Sequence, residues 1–122
     1  MPVQFDDAIP ILRIFDEAKA REFYLGFLGF SVDWEHRFGD NFPLYMQVSR
    51  GGLRLHLSEH HGDASPGARV FVTMHGIDEL HAELKVKNYK YNKPGINTVD
   101  WGREITAHDP FGNRITFCEQ SR

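Results

Sequence analysis

His56 lies in the alternating segment LRLHLS, and His60 and His61 follow it closely in the chain. Imidazoles at this spacing could hold a divalent metal or move protons, because the group titrates near neutrality and is a common metal ligand. Asp33, Glu35 and Asp63 could draw in a cationic ligand. Trp34, Phe38, Phe71 and Trp101 offer flat faces that stack on planar groups, at roughly 1 kcal/mol per contact beyond area burial. Trp101 follows a Pro-Gly loop and precedes Gly102, where neither helix nor strand packing accounts for it, so it is the aromatic most suited to a ligand. His60 and His61 are adjacent and would point opposite ways in extended chain. Their polar surroundings fit a linker better than a metal cluster, which leaves His56 as the histidine to place in a ligand cleft.

These residues need elements to hold them. Ala8 to Ile14 is apolar and β-branched with Pro10 inside it, the pattern of a strand with one unpaired edge. Asp16 can cap a helix whose Ala20, Phe23, Tyr24, Phe27 and Leu28 share one face, ended by Gly29. Strands are predicted over Ser31 to Arg37, Tyr45 to Arg50 and Leu53 to Ser58, the last two joined by Gly51-Gly52. The polar run from Glu59 to Gly67 reads as a link. The order then restarts: a strand over Ala68 to Met74, a helix over Ile77 to Asn88 with Asp78 as cap, and a strand including Tyr89 and Tyr91. A closing hairpin turns at Asp109-Pro110-Phe111-Gly112, where Gly112 supplies a positive φ.

The sequence therefore predicts an α+β fold in a single domain over residues 1–122. Module one spans about 8–58, the link about 59–67 and module two about 68–119. Two β-α-β-β-β modules would form a curved mixed sheet with helices outside and a concavity inside. Alternation sends Leu53, Leu55 and Leu57 to the helices and leaves Arg54, His56 and Ser58 facing the concavity. Likewise Ile115 and Phe117 enter the core, while Arg114, Thr116 and Cys118 take the other face.

Composition sets bounds on this reading. With 122 residues, 41% hydrophobic and 25% charged, the chain has ordinary globular usage. Its formal charge of −3 gives no electrostatic case for binding nucleic acid. No apolar run reaches membrane-span length and no signal-peptide layout is present, so the expected compartment is the cytoplasm. Cys118 is the only cysteine, which excludes a multi-cysteine zinc site, and it reads as a small packed residue.

Three blocks carry a resemblance: AIPIL with the helix ending FLGFSVDW, HGIDELHAEL, and WGREITAHDPFGN. Together they resemble the vicinal oxygen chelate superfamily of glyoxalases and extradiol dioxygenases, and within it the bleomycin resistance proteins. In the enzymes of that superfamily, metal ligands stand on the first, fourth, fifth and eighth strands. Those positions fall here near Ile9, His56, Arg69 or Val70, and Thr116, of which only His56 could bind a metal. The resemblance thus implies a metal-free, cofactor-free binder that sequesters a bulky cationic glycopeptide of the bleomycin type. It implies a ligand site built from Asp33, Trp34, Phe38, His56, Ser58, Phe71, Trp101 and Gly112. It also implies a homodimer made by exchange of the N-terminal strand. The alternatives are a metal-dependent lyase or dioxygenase using His56, and a non-catalytic metabolite-binding module.

Overall fold

The computed structural model describes residues 2–121. Strand β1 (Ile11–Arg13) leads into α1 (Glu17–Ala20), which continues as a π-helical segment (Arg21–Phe27). Strands β2 (Ser31–His36), β3 (Tyr45–Arg50) and β4 (Leu53–Ser58) complete the first module. The second module repeats the order with β5 (Arg69–Thr73), α2 (Ile77–Lys87), β6 (Asn97–Val99), β7 (Gly102–His108) and β8 (Arg114–Gln120). Each module forms its own four-stranded mixed sheet, in the orders β1-β4-β3-β2 and β5-β8-β7-β6. The equivalent strands β1 and β5 are each parallel to a neighbour on one side and have a free edge on the other.

Asp16 caps α1 as expected, its carboxylate accepting from Lys19 N at 2.9 Å. Bonds of the wider π type, such as Leu28 N to Phe23 O, then shift the helix face so that Phe23, Tyr24, Phe27 and Leu28 all reach the core. Helix α2 starts differently from expectation. Gly76, not Asp78, is the N-cap residue, and the free N–H groups of Gly76 and Ile77 are taken by Glu119 Oε1 of β8 at 2.6 and 3.2 Å. Asp78 instead holds Arg103 in a two-bond ion pair. The strand expected at Tyr89 and Tyr91 is a turn. Asn88 takes a left-handed conformation (φ 49°), and the ring of Tyr89 goes inward to pack 4.9 Å from Phe27.

One hydrophobic cluster draws on both modules: Met46, Val48, Leu55 and Leu57 from the first sheet, Ile105, Ala107 and Ile115 from the second, and the inner faces of both helices. The DPFGN turn clamps the modules together. Asp109 accepts from Tyr24 Oη at 2.6 Å, from the Phe111 and Asn113 amides at 2.8 Å each, and from Asn113 Nδ2 at 2.7 Å. Asn113 Nδ2 also donates to Arg13 O of β1, and its oxygen accepts from Ala68 N, the residue just before β5. Arg50–Glu83 and Lys87 to Phe27 O add polar ties near the helices. Because both sheets spend their helix-side faces on this core, their opposite faces carry the residues available to a ligand.

Candidate functional site

Strand register decides which side chains meet on the open face of the first sheet. Trp34, Gln47, His56 and Ile11 are successive cross-strand partners from β2 through β3 and β4 to β1. His36, Tyr45, Ser58 and Arg13 form the neighbouring row. Strict alternation would send Asp33 and Trp34 to opposite faces. A bulge between Val32 and Trp34 lets both reach the open side.

The polar groups there form one directed hydrogen-bond chain. Ser49 Oγ and Gln47 Nε2 donate to the two oxygens of Asp33, each at 3.0 Å. The Gln47 oxygen is then free to accept from His56 Nε2 at 3.0 Å, and His56 Nδ1 accepts from Tyr45 Oη at 2.7 Å. This order requires the neutral imidazole with its proton on Nε2. Burial, and then the charge of Arg54, lower the His56 pKa from its ordinary 6.5 and favour that form. The bonds from Gln47 and Ser49 hold the Asp33 carboxyl below its usual range. Burial, followed by the Asp63 charge, pushes the Tyr45 phenol up, so it is a donor and not an activated base.

Aromatic rings frame this chain. Trp34 is near-parallel to Tyr45 (6.0 Å, 10°) and edge-on to His56 (5.3 Å). Phe38 meets His36 and His60 edge-on at 4.6 and 5.8 Å. Trp34 is 42% exposed and Phe38 is 73% exposed, so their faces are open to a planar ligand. Beside them His60 Nε2 is buried with no hydrogen-bond partner.

Asp33, Trp34, Phe38 and His56 thus converge as a group. Ser58 shares the face but is fully buried, its hydroxyl donating to Asp63 at 2.6 Å and accepting from His60 N. Phe71, Trp101 and Gly112 belong to the second module. Phe71 is 50% exposed on β5, beside Thr116 of β8. Trp101 is 54% exposed and its indole donates to Glu104 at 2.7 Å. Gly112 holds the β7–β8 turn with φ 91°. Tyr45 and Gln47 are the additions that the sequence reading missed; both sit at open-face positions of a correctly bounded strand.

The superfamily's metal-ligand positions, expected near Ile9, His56, Arg69 or Val70, and Thr116, can be compared with the chemistry of the residues that occupy them. The direct cross-strand partner of His56 on β1 is Ile11, and that of Thr116 on β5 is Phe71. Those expected positions, and the cross-strand partners Ile11 and Phe71, offer one good donor, His56, whose two nitrogens are bonded to Tyr45 and Gln47. A divalent ion needs about three protein donors, so these residues do not fit one. Among the described residues no group of three or more His, Cys, Asp or Glu could hold a metal ion.

With this geometry in hand, the comparisons place the chain. A family model described as "Glyoxalase superfamily protein" matches residues 1–122. The chain belongs to the glyoxalase superfamily. A bleomycin-binding protein from bleomycin-producing Streptomyces verticillus, solved with copper(II)-bleomycin, is 29% identical with a TM-score of 0.74, over 98% of this chain and 100% of that one. An antibiotic-binding protein from Streptomyces sp. CB03234 is 22% identical with a TM-score of 0.71, over 98% and 100%. A bleomycin-binding protein solved with bleomycin is 21% identical with a TM-score of 0.70, over 96% and 100%. No curated protein sequence matches the chain significantly. The fold expected from the sequence, two β-α-β-β-β modules of the glyoxalase and bleomycin resistance type, is the one found. No helix among the described residues is long and apolar enough to cross a membrane.

Proposed function

We propose that this glyoxalase-superfamily protein is a metal-free binder that captures a bulky, partly aromatic, cationic antibiotic of the bleomycin type in the cytoplasm, without making or breaking a bond. The observation that carries the reading is the open aromatic face of the first sheet, where Trp34 and Phe38 flank a fully engaged Tyr45–His56–Gln47–Asp33 chain. Such a face suits stacking and hydrogen bonding. The 29% identity with a bleomycin-binding protein along nearly the whole chain supports the ligand class.

In this reading the site is completed by a second copy. The arm over residues 2–10 has no regular structure, and Val3 and Phe5 are 81% and 91% exposed. Exchange of this N-terminal segment between two copies would bury these side chains and bring the first sheet of one chain against the second sheet of the other. Phe71 and Trp101 would then face Trp34 and Phe38 across two equivalent clefts, with Asp33 meeting the cationic part of the ligand. The test incubates the purified protein with metal-free bleomycin, then measures stoichiometry, drug mass and protein-bound metal. One drug per chain, recovered at unchanged mass, is expected. Turnover of the drug, or stoichiometric metal that disappears in His56→Ala, would replace capture with the enzymatic alternative.

A further inference from the structure

The open face of the second sheet has a separate feature that the captured cation does not explain. Arg69 of β5, Arg114 of β8 and His108 of β7 are direct cross-strand partners in one row. All three are exposed, and their neighbours Val70, Ile115 and Ala107 turn to the opposite, core side. Among the described residues Arg21, Arg37, Arg50 and Arg103 take part in ion pairs; Arg13, Arg54, Arg69 and Arg114 do not, and of these four Arg69 and Arg114 are direct cross-strand partners. Like charges directly opposite in a sheet repel, and adjacent strands lie only about 4.8 Å apart. Two unpaired arginines held side by side are therefore a standing cost unless an anion lies between them.

The surroundings favour such an occupant. A pocket of about 410 Å³ opens at the His108 end of the row, and His108, Thr106 and Lys93 are among the residues that line it. The acid of this face is Glu104, in the third row and already bonded by the Trp101 indole. The row between them is Phe71, Thr116 and Thr106, the two threonines hydrogen-bonded to each other at 2.9 Å. Phe71 is the exposed member, about 7 Å along β5 from Arg69. That spacing sets a ring-stacking surface within one small molecule's length of the cations.

We propose that the Arg69–Arg114–His108 row is an anion site for a phosphoryl or sulfo group, and that Phe71 receives an aromatic ring attached to that group. Planar guanidinium forks match the geometry of such oxyanions. The three cationic residues stand on a different sheet from Asp33, and in the proposed dimer Phe71 would be shared between this site and the antibiotic cleft that it borders.

The test uses the full chain with inorganic phosphate and phenyl phosphate as probes, and sodium chloride at matched ionic strength as the reference. Backbone amide NMR shifts in β5, β7 and β8 report binding, with no antibiotic present, so the result is independent of the capture reading. Saturable shifts around Arg69, His108 and Arg114 are expected for both probes, with phenyl phosphate binding several-fold more tightly. Arg69→Gln and Arg114→Gln should each weaken both probes about tenfold, and Phe71→Ala should remove the advantage of phenyl phosphate alone. Equal responses to phosphate and chloride, or undiminished binding in the Arg69→Gln/Arg114→Gln double variant, would overturn the site. Equal affinity for the two probes would overturn its aromatic half.

Discussion

Replacing Tyr24 with phenylalanine removes one oxygen atom from the centre of the clamp between the modules. Tyr24 is fully buried, and its hydroxyl reaches Asp109 at 2.6 Å. Phenylalanine keeps the ring and its edge-on contact with Phe23 at 4.8 Å, so the change isolates the hydrogen bond. A bond to a charged acceptor contributes about 1.5–3 kcal/mol, and removal leaves Asp109 with three other donors, so a loss of about 2 kcal/mol is expected. In urea, with a slope of about 1–3 kcal/mol/M, the midpoint should fall by about 0.7–2 M with the slope unchanged. Asp109→Asn should cost more, and the double variant less than the sum of the two, with a coupling of about 1–2 kcal/mol. The pH dependence adds a sign. Burial, then the Asp109 charge, raises the folded Tyr24 pKa well above 10. Its stabilisation is therefore complete below pH 10 and lost as pH rises through the folded value. Tyr89, raised to about 12, contributes in the same direction in both proteins, so the difference between wild type and Tyr24→Phe isolates Tyr24. A change under about 0.5 kcal/mol in Tyr24→Phe, or additive effects in the cycle, would refute the clamp.

Gly102→Ala should be among the most damaging single-atom additions. Its φ is 155° and a Cβ there would lie 2.3 Å from the backbone oxygen of Glu119, so a loss on the order of 2–4 kcal/mol is expected in thermal or urea unfolding. For His56 the folded pKa is lowered, so its contribution to stability is complete above pH 6.5 and lost as pH falls through the folded value. Ring NMR should show the Nε2–H tautomer at pH 7, and acid destabilisation should be smaller in His56→Gln; an Nδ1–H tautomer would contradict the chain. Glu119→Gln should lower the melting temperature at pH 7 and flatten the acid limb. The Gly76 and Ile77 amides depress the Glu119 pKa, so its stabilisation is present above about 4.5 and lost as pH falls through the folded value.

Local patterning reveals much of this molecule. Strands β3 and β4 have the bounds that their alternation predicts, and Asp16 caps its helix because capping is decided within three residues. What escaped notice depends on partners distant in sequence. Glu119 caps a helix that begins 42 residues earlier in the chain, and no local rule at Asp78 could reveal that a carboxylate from β8 already held those amides. Tyr89 lies in a segment with strand-like composition, but the core has room for its ring beside Phe27, and the chain turns at Asn88. At the candidate site His56 and Trp34 were visible as residue types on an open face. Their linkage through Tyr45 and Gln47 was not, because it follows from the register of β2, β3 and β4 and the bulge at Asp33.

The central claim is that the Trp34 face captures an antibiotic of the bleomycin type. The direct measurement is a titration with metal-free bleomycin followed by tryptophan fluorescence, in wild type, Trp34→Ala and Trp101→Phe. Saturable quenching at micromolar drug or below is expected in the wild type, with affinity reduced about tenfold in Trp34→Ala through the lost stacking surface. No quenching at micromolar drug, or equal affinity in wild type and Trp34→Ala, would contradict the account.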